Sequence, residues 1–101
     1  MIHVRVVRKD HLIQSITVTG HADSVVYGHD LVCAIVSGIM TGLCNAMDQL
    51  AQEDHMILEP GHVEIHVEKP NQKTDLILET GLIQLKTAEE VNQDYLKVTE
   101  V

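Results

Sequence analysis

Residues 2–19 have the sequence IHVRVVRKDHLIQSITVT, in which two alternating stretches flank a polar pair. In residues 2–8, apolar side chains recur at every second position, and residues 12–19 repeat this pattern. Alternation with a period of two is typical of strands that bury one face. The polar pair Lys9-Asp10 suits a tight turn, so this stretch predicts a β-hairpin.

A long helix is predicted after the hairpin, from about Asp30 to about Gln52. Asp30 is a residue type that commonly caps helix N-termini. Apolar residues then recur at helical spacing and form a stripe. They are Ile35, Ile39, Leu43, Ala46 and Leu50. The first turns are apolar on nearly every side, which indicates that this end of the helix is buried.

The second half of the chain repeats the order of two strands and a helix. Residues 56–58 and 62–68 flank Pro60-Gly61, a pair that favours a second hairpin turn. A second helix is predicted to open at Pro70-Asn71. Its apolar face comprises Leu78, Leu82 and Leu85. Residues 95–101 alternate again and predict a closing strand.

The resulting element order, ββαββαβ, defines the expected fold class. Two helices can cover one face of a single sheet, so we predict an α/β (α+β) fold, a two-layer sandwich. The 101 residues suffice for one hydrophobic core, and we expect a single domain over residues 1–101.

The composition disfavours nucleic acid as a partner. Seven basic and 15 acidic residues give a formal net charge of −8, which repels phosphate and attracts cationic partners such as basic peptides. Tyr27 and Tyr95 are the only aromatic residues, so base stacking has little support. An acidic surface that only maintains solubility is the alternative.

Neither a signal peptide nor a membrane span is expected. Residues 1–5 lack the charged and apolar regions of a signal peptide. The apolar run of residues 31–44 is interrupted and shorter than the roughly 20 residues that span a bilayer. On one helix, Cys33 and Cys44 would lie roughly 16 Å apart, too far for a disulfide. Two thiols are consistent with a reducing compartment, so we expect a cytoplasmic protein.

The candidate chemistry lies in residues 20–37. With Asp30 as the cap, Cys33 falls in the first helical turn, where unpaired N–H groups and the helix dipole favour a thiolate. The same N–H groups could stabilise an oxyanion. His21 ends the preceding strand, and a loop could return its imidazole to the thiol as a nucleophile–base pair. By spacing alone, Cys33 could equally be a small buried core residue.

Two motifs resemble a known family. Gly20-His21-Ala22 and the sequence YGHDLVCAIVS at residues 27–37 closely resemble the ribosomal-processing cysteine protease family of Firmicutes and related bacteria. The resemblance implies a cofactor-independent endopeptidase that uses His21 and Cys33. It also implies a homodimer with a two-layer α/β fold. The implied substrate is the N-terminal extension of a large-subunit ribosomal protein. Ile35, Asp23 and His29 depart from the family pattern.

Several residues are expected to support this pair. Asp30 caps the helix, orients His21, or does both. Ser37 lies one turn beyond Cys33 on the same helical face, and it either hydrogen-bonds near the site or bonds back to the helix backbone. Gly20 and Gly28 flank a loop that either closes over peptide or simply turns twice. The predicted substrate loop comprises Gly20, Ala22, Val25, Val26, Tyr27 and Gly28.

Two other functional classes are alternatives. His21, His29 and Cys33 lack the paired spacing of structural zinc ligands, so no metal site is expected. A non-catalytic dimeric module that binds ribosomal proteins is the main alternative. Gly38 and Gly42 form a small-xxx-small pair, which favours either a helix-mediated homodimer or close packing within the chain.

Overall fold

The fold is a five-stranded sheet with two helices packed on it. The computed structural model describes residues 1–20 and 27–101, and of residues 27–30 it describes the backbone alone. The strands are β1 (Ile2–Lys9), β2 (Leu12–Thr19), β3 (Met56–Glu59), β4 (His62–His66) and β5 (Leu96–Glu100). The helices are α1 (Tyr27–Ala51) and α2 (Gln72–Glu90). The predicted order ββαββαβ is confirmed.

The strands lie in the order β3-β4-β2-β1-β5. All neighbours are antiparallel except β1 and β5, which run parallel. The first hairpin turns at Asp10 and His11, both with positive φ, one residue later than Lys9-Asp10. Two positive-φ residues give a turn whose twist matches that of the flanking strands.

The core lies between the sheet and the helices and is entirely aliphatic or sulfur-containing. Its largest fully buried side chains come from the sheet and from both helices: Ile13, Ile16, Ile65 and Leu96 from strands, and Met40, Met47, Leu78 and Leu85 from helices. Because β1 buries every second side chain while His3 and Arg5 stay exposed, the opposite sheet face is open. The predicted two-layer α+β architecture is confirmed.

The two helices approach each other closely at Gly81. A Cβ atom there would overlap the buried side chain of Leu43, so glycine is needed for this helix separation. The N-terminus of α2 is fixed by a capping box, in which Asn71 and Thr74 each accept from the other's backbone N–H at 3.0 Å. Pro70-Asn71 was therefore a correct indication of where this helix opens.

The outer face of α1 is unusually apolar. Within the described part of the chain, the segment Leu31–Ala51 has the length and composition of a helix that could cross a membrane. The core helix of a soluble protein has the same properties, and here Val32, Val36 and Met40 pack into the core.

An ion cluster joins β1, α2 and β5. The Arg8 guanidinium donates to the Glu79 carboxylate at 2.7 and 3.0 Å and to Glu100 at 3.0 Å. Lys86 also contacts Glu100. Hydrogen bonds from Arg8 lower the pKa of Glu79, and those from Lys86 and Arg8 lower the pKa of Glu100. Both carboxylates therefore stabilise the fold only while they are ionised.

We expect this cluster to steepen acid unfolding. A lowered folded-state pKa gives stabilisation that is complete above the ordinary value of 4.5 and is lost as pH falls through the lowered pKa. Because the groups are partly exposed, the contribution should be about 1 kcal/mol or less. The free energy of unfolding in urea should be lower for Arg8→Met than for wild type at pH 7, and this difference should be smaller at pH 3. An equal difference at both pH values would contradict this account.

Candidate active site

Cys33 lies on the side of α1 that faces one end of the sheet. It is partly buried and packs against the core. A cavity of about 210 Å³ opens beside it, between α1 and the ends of β1, β2, β3 and β4. Ile2, Val18, Val36 and Val63 form apolar walls, and Ser37 also lines the cavity. The cysteine thus borders a cavity large enough for one apolar side chain.

Gly20 brings the end of β2 into the same cavity. Its φ of 96° lies in the region that favours glycine, and its N–H donates to the Gly61 carbonyl at 3.2 Å. A Cβ at this position would overlap the carbonyl oxygen of Met1. The backbone that leads into residue 21 is therefore fixed at the cavity wall.

The start of α1 differs from the sequence prediction. The helix begins at Tyr27, so Asp30 lies within its first turn and is not the N-cap, and Cys33 lies in the second turn. A cap contributes only about 1 kcal/mol, so favourable packing can extend a helix past a good cap residue. The amide of Cys33 has a helical acceptor at residue 29. The prediction of Asp30 as the N-cap is therefore wrong, and the prediction that N–H groups near Cys33 hold an oxyanion stays a prediction.

The second hairpin contributes residues that sequence reasoning did not place in the site. Glu59, Pro60 and Gly61 line the cavity together with His62. Pro60-Gly61 was predicted as a turn, and Gly61 has a positive φ of 76°. Nothing in the local sequence indicates that this turn meets Cys33, because their proximity follows from the pairing of β4 with β2.

Comparison with known proteins places this geometry in a family. Residues 1–97 match the family model described as cysteine protease Prp. The chain belongs to the Prp family of cysteine proteases. It is 36% identical over 90 residues to the ribosomal processing cysteine protease Prp of Staphylococcus aureus, covering 85% of each chain. It is 35% identical over 99 residues to that of Bacillus subtilis, covering 89% of this chain and 88% of the relative.

A solved structure of a Prp protease has the same fold. The crystal structure of an essential ribosomal processing protease Prp from S. aureus in complex with a substrate peptide superposes with a TM-score of 0.90, at 32% identity over the full length of both chains. Like its Prp relatives, this chain is a cysteine endopeptidase. The predicted family and enzyme class are confirmed, and the non-catalytic module is not favoured.

The remaining predicted site residues of this Prp protease divide into three groups. Gly20, Cys33 and Ser37 meet at the cavity, and Ser37 is exposed there. Tyr27 and Gly28, expected in a loop, are the first two residues of α1, so Gly28 is not a loop hinge. The predictions for His21, Ala22, Val25 and Val26, and for the Asp30 side chain, lie outside the described residues.

The described part of this Prp chain contains no group of three His, Cys, Asp or Glu side chains that could hold a metal ion. His21 and His29, two of the three candidate zinc ligands, have side chains that lie outside the described residues. The described cavity is therefore lined by a thiol (Cys33), a hydroxyl residue (Ser37), two ionisable residues (Glu59 and His62) and apolar walls.

The two cysteines should differ in reactivity. Cys33 is partly exposed at the cavity, whereas Cys44 is 5% exposed and burial raises the pKa of its thiol. Because thiolate is the reacting form, iodoacetamide at neutral pH should label Cys33 well before Cys44 in the folded protein. Peptide mapping by mass spectrometry measures both rates, and both sites should react alike in denaturant. Faster labelling of Cys44 would contradict the structure.

Proposed function

We propose that this protein removes the N-terminal extension of a large-subunit ribosomal protein, with Cys33 as nucleophile and His21 as general base. The observation that carries the proposal is the convergence of Cys33 and Gly20 on one cavity. Gly20 directly precedes His21 in the sequence, and this adjacency supports His21 as the base. The processing activity named for the relatives supports this choice of substrate.

The reaction follows the usual two steps of a thiol protease. The Cys33 sulfur attacks the scissile carbonyl carbon, and His21 transfers the thiol proton to the departing amine as the C–N bond breaks. Water then adds to the thioester carbonyl, with His21 as base, and the C–S bond breaks. The products are a carboxylate and an amine, and the thiol is restored.

The cavity supports selection of an apolar side chain at the scissile bond. Its apolar walls are Ile2, Val18, Val36 and Val63, and its volume is about 210 Å³. Burial of an apolar side chain there contributes roughly 1.5–3 kcal/mol. The net charge of −8 additionally favours a basic ribosomal protein over RNA.

Cleavage of the extended ribosomal protein from the same organism tests the proposal. Wild type should make one N-terminal cut, and both Cys33→Ala and His21→Ala should make none. Because an acidic surface repels RNA, the free ribosomal protein should be cut faster than the same protein within an assembled subunit. An uncut free substrate would overturn the proposed function. Equal rates on free and assembled substrate would overturn the charge argument alone.

We also propose that the protein acts as a cytoplasmic homodimer that pairs through the outer groove between α1 and α2. This groove has a volume of about 680 Å³ and is lined largely by small and apolar residues. Cβ atoms at Gly38 and Gly42 would meet no atom of the described residues within 4 Å, so these glycines do not serve packing within that part of the chain. Leu31 and Leu76 are 62% and 71% exposed on the same helices. An exposed apolar surface of this kind favours contact with a partner protein.

A bulky side chain in this groove should dissociate the dimer and leave each protomer folded. Gly42→Arg places its side chain in open space within the protomer. Light scattering after size exclusion should show a dimer for wild type and a monomer for Gly42→Arg. Thr99→Arg, on the open sheet face, is the matched control and should remain dimeric. A monomeric wild type would contradict the homodimer.

A further inference from the structure

The outer edge of β3 has no strand beside it among the described residues. β3 is the terminal strand of the sheet and comprises Met56–Glu59. An edge strand presents a row of backbone N–H and C=O groups that can pair with another chain. Because β3 lies at the end of the sheet, the residues whose backbone N–H and C=O groups point outward determine what can pair with it.

The hydrogen-bond pattern identifies these groups. The His66 N–H donates to the His55 carbonyl at 3.1 Å, so this opposed pair is hydrogen-bonded. In an antiparallel ladder, hydrogen-bonded and non-hydrogen-bonded pairs alternate. Ile57 and Glu59 therefore bond to β4, where they oppose Glu64 and His62. The N–H and C=O of Leu58 point away from the sheet.

An apolar side chain lies beside these outward groups on the helix-covered face. Leu58 is 63% exposed and opposes Val63, which lines the Cys33 cavity, so the two lie on the helix-covered face. Ile57 is 40% exposed on the open face. Proteins commonly protect an edge with lysine or proline within the strand, and β3 has neither.

The edge leads directly into the proposed active site. Glu59, the last residue of β3, and the following Pro60-Gly61 line the cavity beside Cys33. Four strand residues extend over about 13 Å, enough to pair with three or four residues of an extended peptide. A chain lying along this edge would therefore reach the nucleophile at its end.

We propose that the substrate peptide binds as an additional strand on β3, pairs with the backbone N–H and C=O of Leu58, and enters the Cys33 cavity in an extended conformation. This inference rests on the proposed protease function. Backbone pairing contributes affinity independently of sequence, while Leu58 and Val63 offer apolar contacts to alternate substrate side chains. A second copy of the protein is the other possible occupant. Continuity with the cavity favours the peptide, and the apolar groove for a second copy lies on the other side of the helices.

A backbone scan of the substrate tests this arrangement with the wild-type protein. Peptides spanning the cleavage site are methylated at one amide nitrogen at a time, which removes single hydrogen-bond donors. A strand bonds its neighbour through every second residue. We expect kcat/KM to fall by about fivefold to tenfold at alternate positions on one side of the scissile bond, and little between them.

A matched pair of variants tests the enzyme side. Leu58→Pro removes the outward N–H and keeps the bonds of β3 to β4, because proline is tolerated at edge positions whose N–H faces solvent. It should lower kcat/KM by about tenfold, mainly through KM. Ile57→Ala truncates the neighbouring apolar side chain on the open face and should leave kcat/KM within about twofold of wild type.

The outcomes of these experiments distinguish strand addition on β3 from the proposed protease function. Cleavage of every methylated peptide without alternation would overturn strand addition and leave the protease function standing. A change of oligomeric state in Leu58→Pro with unchanged kcat/KM would also overturn it and assign the edge to a second copy. Failure of wild type to cleave any peptide would overturn the proposed function and this inference together. If Leu58→Pro folds poorly, the substrate scan alone decides.

Discussion

Replacement of Cys33 by alanine is expected to lower kcat/KM for peptide cleavage by at least about 10⁴-fold, because removal of a covalent nucleophile leaves only binding to assist the reaction. The fold should change little. Cys33 is only partly buried, so loss of its sulfur should cost less than about 1 kcal/mol of unfolding free energy. Steady-state cleavage and urea unfolding of the same preparation measure both effects.

The second cysteine provides the matched control. Cys44 lies on the same helix, 5% exposed and within the core. Cys44→Ala should leave kcat/KM within about twofold of wild type while lowering the unfolding free energy by about 1 kcal/mol. Comparable loss of activity in both variants would show that helix packing, and not the chemistry of Cys33, limits cleavage.

Gly20→Ala should produce the second large effect, on stability and activity together. The methyl group would overlap the Met1 carbonyl oxygen, and φ of 96° is strained for alanine. Relief requires backbone movement, with an expected loss of about 2–3 kcal/mol. Since Gly20 leads into His21, the same movement should lower kcat/KM by about 100-fold.

A glycine in open space serves as the comparison. Gly38→Ala places its methyl group where no described atom of the same protomer lies within 4 Å, and alanine is the better helix former by about 1 kcal/mol. It should be neutral or stabilising in thermal unfolding. Cleavage kinetics of wild type and Gly20→Ala, measured well below the melting temperature of each, distinguish misplacement of His21 from global unfolding. Normal stability of Gly20→Ala would contradict the predicted overlap with Met1.

The fold was largely predictable because its signals are local. Alternation in residues 2–8 and 12–19, the turn at Pro60-Gly61 and the opening of α2 at Pro70-Asn71 each depend on a few neighbouring residues. The start of α1 differs from the sequence prediction, because Asp30 is a favourable cap residue and yet lies inside the first turn. The free energy that a favourable N-cap residue contributes is too small to outweigh the packing of the rest of the helix.

The candidate site was only partly predictable. Cys33 and Ser37 share a helical face, so their proximity follows from spacing. Gly61 and Ile2 reach the cavity only because β4 pairs with β2 and β2 pairs with β1. The ion pair of Arg8 with Glu79 joins residues 71 positions apart, a distance over which sequence patterns carry no pairing information.

The parallel pairing of β1 with β5 has a consequence for the timing of synthesis. Ile2 opposes Leu96 in this pair and also lines the cavity of Cys33. Contacts between such distant parts of a chain form slowly, because the intervening segment must first be brought together. While residues 96–100 of a nascent chain are still inside the ribosome, β1 lacks the strand β5 that pairs with one of its edges. We therefore expect peptidase activity to appear only after translation of the whole domain.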